Sequence, residues 1–201
     1  GVRTAVILPL YQRVKEAFGG QLTFRCFDYV DLAWRHAYCG LFSMEKDGVT
    51  WYFLDNEQYF RRPDLYGYMD DGERFGFFSR AVVRMLEHLD FWPDVIHCND
   101  WQTALIPIYL KDDGVRDASL RSIRTVLTIH NIEYQGRYGA ECLGDLFGLD
   151  QGWADDGTLM MDGDVNLLKG AILCADAVNA VSPTYAQELK DPYFAHRMES
   201  I

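Results

Sequence analysis

The sequence predicts an α/β protein: a parallel sheet with flanking helices, interrupted by an antiparallel excursion near residues 21–56. Three observations predict it. Short β-branched apolar runs alternate with helical patterns along most of the chain. Residues 21–56 instead alternate apolar with polar side chains, as in LTFRCFDYV and VTWYFLD. Finally, 201 residues at 49% hydrophobic and 14% aromatic content suffice to bury a sizeable core.

The first strand is expected at residues 2–8, an apolar run closed by Pro9 and suited to burial on both faces. The meander over 21–56 turns at Lys46-Asp47-Gly48. A helix follows over 70–89, with Phe75, Phe78, Val82, Met85 and Leu89 at helical spacing and acidic residues in its first turn. Then come a strand at 94–97, a helix at 101–111, a strand at 124–129 and a helix at 164–175. A strand at 177–181 and a helix from Pro183, N-capped by Ser182, complete the pattern. Residues 138–163, rich in Gly and Asp, read as a loop with one short helix near 145–149.

Thirty acidic against nineteen basic residues give a net charge of −11, which disfavours nonspecific nucleic-acid binding. No apolar run reaches the roughly 18 residues of a membrane span. Five cysteines at wide spacing, without a C-x-x-C pair, argue against a disulfide framework or zinc site and for a reduced, cytoplasmic protein; Cys98 and Cys174 read as core residues.

In open parallel sheets, ligands bind at the carboxyl ends of the strands. Three such ends carry polar side chains: His97-Cys98-Asn99-Asp100-Trp101, His130-Asn131 followed by Gln135-Gly136-Arg137-Tyr138-Gly139, and Ser182-Pro183-Thr184. Asp100 is either the N-cap of the helix beginning at Trp101 or a site group, and both can hold. Ser182 reads as a cap, and His97 as a core histidine satisfied by backbone. His130 is poorly explained by packing, since it follows a β-branched strand and precedes a glycine-containing loop. Asp70-Asp71-Gly72-Glu73 reads as the solvated first turn of a helix rather than a carboxylate pair. Glycine-rich phosphate loops, the G-x-S-x-G elbow and paired metal-ligand histidines do not occur.

The segments VILPLY (6–11), DNEQYFRRPDLYGYMDDGERFGFFSRA (55–81), HCNDWQTALIPIYLK (97–111), TIHNIEYQGRYG (128–139) and NLLKGAILCADAVNAVSPTYAQE (166–188) closely resemble bacterial glycogen synthases and plant starch synthases. The resemblance implies half of a GT-B fold, in which two Rossmann-like domains face a cleft. It further implies transfer of glucose from ADP-glucose or UDP-glucose to the non-reducing end of an α-1,4-glucan, with retention and without metal or cofactor. On that resemblance His130 contacts the donor glucose and Asp100 belongs to an H-x-x-D-W-type motif beside it. Both would orient sugar hydroxyls rather than act as nucleophile or base. Tyr66 matches the family's active-site tyrosine, with Tyr68 as the competing alignment. Asn131, Gln135 and Gly136 share the His130 loop, and Asn166 and Lys169 fall in the cleft-side N-x-L-K segment.

Asn99 departs from the pattern where many members carry a second histidine, and is read as neutral variation. The family's opening strand and C-terminal domain have no counterpart here. Residues 1–201 are therefore expected to be a single, incomplete, acceptor-side N-terminal domain truncated at both ends, inactive alone and prone to self-association through the truncated surface. Two other readings stay open. One is a noncatalytic glucan-binding module using Tyr52, Tyr59, Tyr66 and Tyr68. The other is a different nucleotide-sugar enzyme such as an epimerase, which would want a dinucleotide fingerprint.

Overall fold

The computed structural model describes residues 1–201, which form two compact units, Gly1–Asp90 and Phe91–Ile201. The first holds β1 (Ala5–Pro9), α1 (Gln12–Phe18), β2 (Thr23–Leu32), β3 (Arg35–Lys46), β4 (Val49–Asp55), α2 (Glu57–Phe60) and α3 (Asp71–Met85). Its sheet has the order β1-β4-β3-β2. The antiparallel meander occurs where alternation placed it, joined at Asp47-Gly48, both at positive φ as a two-residue hairpin turn requires. It is continuous with the first strand: β4 pairs parallel with β1, Ala5 opposite Thr50 and Pro9 opposite Leu54. Leu10, Met44 and Phe53 form a core cluster, with Val14 and Phe18 of α1 against it.

Helix α3 buries Phe75, Phe78, Val82 and Met85, as their spacing predicts. Its first turn is not solvated. Asp71 is buried, and its carboxylate accepts the backbone N–H groups of Gly67 (2.6 Å) and Tyr68 (3.1 Å) while pairing with the fully buried Arg74. An acidic first turn suits a helix N-terminus, but here the residues before α3 fold back over one of its carboxylates.

The second unit holds β5 (Val95–Asn99), α4 (Leu105–Gly114), β6 (Arg124–Ile129), β7 (Arg137–Gly139), α5 (Cys142–Asp145), α6 (Gly152–Asp155), β8 (Met160–Met161), β9 (Asp164–Asn166), α7 (Leu167–Cys174), β10 (Ala177–Ala180) and α8 (Pro183–Glu188). Strands β10-β6-β5 form an all-parallel sheet, which the βα rhythm predicts. Helices α4 and α7 pack together, and Cys98 and Cys174 are buried as expected.

Three local differences have physical causes. The helix expected from Trp101 is a 3₁₀ turn at Trp101–Thr103 followed by α4, because Pro107 lacks the N–H that would bond back to Thr103 and is tolerated only in a first turn. The helix expected from Asp164 starts three residues later. Asn166 caps α7 by accepting the Lys169 N–H at 2.9 Å, while 164–166 join β7 and β8 in a small antiparallel sheet. The segment 138–163 carries two short helices, α5 and α6, instead of one near 145–149. No helix is long and apolar enough to cross a membrane.

Candidate active site

The parallel sheet brings the ends of β5 and β6 side by side. Asn99, the last residue of β5, lies opposite Thr128, and the Asp100 N–H donates to the Thr128 carbonyl at 3.1 Å. Asp100 then adopts φ 54° and ψ −170°, a region nearly restricted to glycine. Thr103 braces this turn, its hydroxyl accepting the Asn99 N–H (2.6 Å) and donating to the Asn99 carbonyl (2.8 Å).

Asp100 is not a helix cap by its side chain. Its Oδ1 accepts the backbone N–H groups of His130 (2.7 Å) and Asn131 (3.3 Å), fixing the loop that leaves β6. The His130 ring is exposed, with Nε2 2.9 Å from Oδ1 of Asn99. Asn131 closes its own turn by accepting the Glu133 N–H at 3.0 Å. Ser182 caps α8 as expected, accepting the Tyr185 N–H at 3.1 Å, and the Tyr185 hydroxyl accepts the Ile132 N–H at 2.9 Å. All three strand ends thus converge on the His130 loop.

His97 is not a core residue satisfied by backbone. It is exposed, and its Nε2 meets the Thr128 hydroxyl at 2.6 Å, which in turn donates to Oδ1 of Asn179 at 2.6 Å. The result is a polar ladder across β5, β6 and β10.

Behind the loop sits a second group. Gln135 is buried, accepting from Nδ2 of the fully buried Asn166 at 2.7 Å and donating to the His196 carbonyl at 3.1 Å. Lys169 donates to the carbonyls of Gly157 (2.8 Å) and Met160 (2.7 Å), tying down the preceding segment. Gly136 has φ +63°, and a Cβ there would stand 2.8 Å from the Trp101 ring, so only glycine lets the loop lie on the indole.

The structure therefore brings Asp100, His130 and Asn131 together, places Gln135, Gly136 and Asn166 in the packing behind them, and turns Lys169 to the 157–160 segment. Tyr66 belongs to the other unit. It is 64% exposed, whereas Tyr68 lies under the guanidinium groups of Arg62 and Arg74, its hydroxyl accepting the Asp64 N–H at 3.0 Å. Tyr52 and Tyr59 are core residues, which removes them from any glucan-stacking surface.

Burial pushes the Cys98 thiol up to about 12, so this neighbour of the site is no nucleophile at neutral pH. In the first unit Asp28, Glu87 and His88 lie at metal-ligand spacing, but the Arg84 guanidinium already pairs with both carboxylates, with Asp28 at 2.6 Å. Sequence reasoning took Asn99 as neutral variation and Asp71 as solvated, and passed over Thr103 and Tyr185. An amide directly before the strand-end aspartate was the available signal for Asn99.

The comparisons with known proteins agree along the whole chain. The family model for the starch synthase catalytic domain matches residues 1–201. A glycogen synthase of Lactobacillus acidophilus is 47% identical over 202 residues, covering 100% of this chain and 42% of that protein. One of Lactococcus lactis is 50% identical over 198 residues, covering 98% and 41%. Among solved structures, the catalytic domain of starch synthase IV from Arabidopsis thaliana, bound to ADP and acarbose, superposes with a TM-score of 0.82 at 30% identity, covering 98% of this chain and 41% of that one. The chain thus spans about two fifths of the length of these relatives. With an α/β architecture, a parallel sheet whose strand ends meet at His130, and a match from first residue to last, this chain belongs to the starch synthase catalytic domain family.

Proposed function

We propose that residues 1–201 form the acceptor-side, N-terminal part of a cytoplasmic GT-B glucosyltransferase, which moves glucose from a nucleotide sugar, ADP-glucose in preference to UDP-glucose, to the non-reducing end of an α-1,4-glucan with retention. The observation that carries this reading is the Asp100 carboxylate on the backbone of His130 and Asn131, which holds an exposed imidazole at the carboxyl end of a parallel sheet. Kinship to glycogen synthases at 47–50% identity supports the substrate class.

In such a transfer negative charge grows on the leaving phosphate while the sugar becomes oxocarbenium-like. Catalysis needs hydrogen bonds that hold the sugar and cations that meet the phosphate. His130 supplies the former, Asp100 fixes its loop, and Gln135, Gly136 and Asn166 support that loop from behind, while Lys169 ties down the neighbouring 157–160 segment. Tyr66, exposed in the first unit, is the residue we match to the family's active-site tyrosine.

The test is incorporation of labelled glucose from ADP-glucose or UDP-glucose into glycogen, by the full-length protein and by residues 1–201 alone. Transfer by the full-length protein and none by the isolated chain is expected. Transfer from neither donor would sink the functional reading. Near-full turnover by residues 1–201 would show that a complete site lies within them.

A further inference from the structure

The structure assigns Asn99 as the positioning residue for the His130 ring, one that holds the neutral imidazole in the Nε2–H form. The assignment rests on the reading of His130 as the sugar-contacting residue and adds how its ring is oriented. Asn99 is anchored on both sides of its side chain. Its N–H and carbonyl are both bonded to the Thr103 hydroxyl, and its neighbour Asp100 holds the backbone of His130. The Asn99 side chain therefore projects from a fixed point toward a ring whose own backbone is fixed from the same turn.

The contact is Oδ1 to Nε2 at 2.9 Å. An amide oxygen only accepts, so the ring nitrogen facing it must carry the proton. In a neutral imidazole the other nitrogen, Nδ1, is then left with a lone pair. His130 is thus set to accept a hydrogen bond from a sugar hydroxyl rather than to donate one. Asn99 cannot act by touching the sugar in this scheme; it acts through the histidine. It is accordingly not a neutral variation.

The experiment is side-chain ¹⁵N NMR of histidine-labelled full-length protein in mildly alkaline buffer, with the His130 signals identified by their loss in His130→Ala, alongside kcat and KM for the nucleotide sugar. The wild type should show His130 as the Nε2–H tautomer. Asn99→Ala should give a mixture of tautomers and lower kcat about tenfold with a smaller change in KM. Asn99→Asp, which keeps an acceptor oxygen, should preserve the tautomer and most of the rate. If Asn99→Ala does not fold, the near-isosteric Asn99→Leu serves in its place.

A wild-type ring found as Nδ1–H overturns the proposal whatever the variants do. So does an unchanged His130 signature in Asn99→Ala, or a loss in Asn99→Asp equal to that in Asn99→Ala. Absence of glucosyl transfer by the wild type would instead refute the functional reading and leave the tautomer measurement standing.

Discussion

Arg74 is wholly buried, and its guanidinium rests on the carboxylate of Asp71, one turn earlier on α3. The rest of the guanidinium is satisfied too, by the carbonyls of Tyr59 (2.8 Å) and Leu65 (3.3 Å). The other Asp71 oxygen accepts the amides of Gly67 and Tyr68, so this ion pair holds the loop on which Tyr66 stands exposed. A buried charge left without its partner is costly, whereas the intact pair contributes little net stability.

Arg74→Met should accordingly lower unfolding stability by about 3–5 kcal/mol, because Asp71 is left uncompensated. The measurement is the shift in urea midpoint at constant m-value. A loss below about 1 kcal/mol would place the pair among surface-like interactions.

His130→Ala in the full-length protein should reduce turnover by about a hundredfold or more with the fold intact. Asp100→Ala should do the same less directly, by releasing the backbone of His130 and Asn131. Normal turnover in His130→Ala, at matched stability, would show the imidazole to be dispensable.

Asp176 offers a pH test. Its carboxylate accepts the Thr125 N–H at 2.8 Å and pairs with Arg124 at 2.8 Å, and these, the backbone bond first, hold it below the usual carboxylate range. A carboxyl depressed in the folded state stabilises above its unfolded value and loses that contribution as pH falls through the folded one. The stability gap between wild type and Asp176→Asn should therefore be present at neutral pH and close below about pH 4. A gap that persists unchanged into acid would assign it to packing instead.

Thiol chemistry should divide the cysteines. Burial pushes the Cys39 and Cys98 thiols up to about 12 and Cys174 up to about 11, while Cys26 and Cys142 are only partly buried. An aromatic disulfide reagent near neutral pH should modify Cys26 and Cys142 first, and the other three only on unfolding. Rapid labelling of Cys98 in the native protein would mean that the β5 end opens readily.

What the sequence made legible was whatever depends on near neighbours. The periodicity of α3, the Asp47-Gly48 turn and the cap at Ser182 are local chemistry. The parallel pairing of β1 with β4 joins strands separated by the whole meander, so alternation located the strands but not their partner. The same limit governs the site. His130 stood out because packing did not explain it, but the bond from its backbone to Asp100 spans 30 residues and is visible only in three dimensions. Asp71 misled for a related reason: Asp-Asp-Gly-Glu has the same composition whether a loop covers it or water does.

The backbone of Asp100, at φ 54°, sets ease of the turn against the hold of its carboxylate on the His130 loop. A conformation so close to glycine's own territory costs on the order of 1–3 kcal/mol when a side chain must occupy it. Asp100→Gly would relax the turn and delete the carboxylate that steadies His130. Selection of variants for heat resistance alone should therefore enrich glycine here and yield a tougher, slower protein, whereas selection on glucan synthesis should restore aspartate.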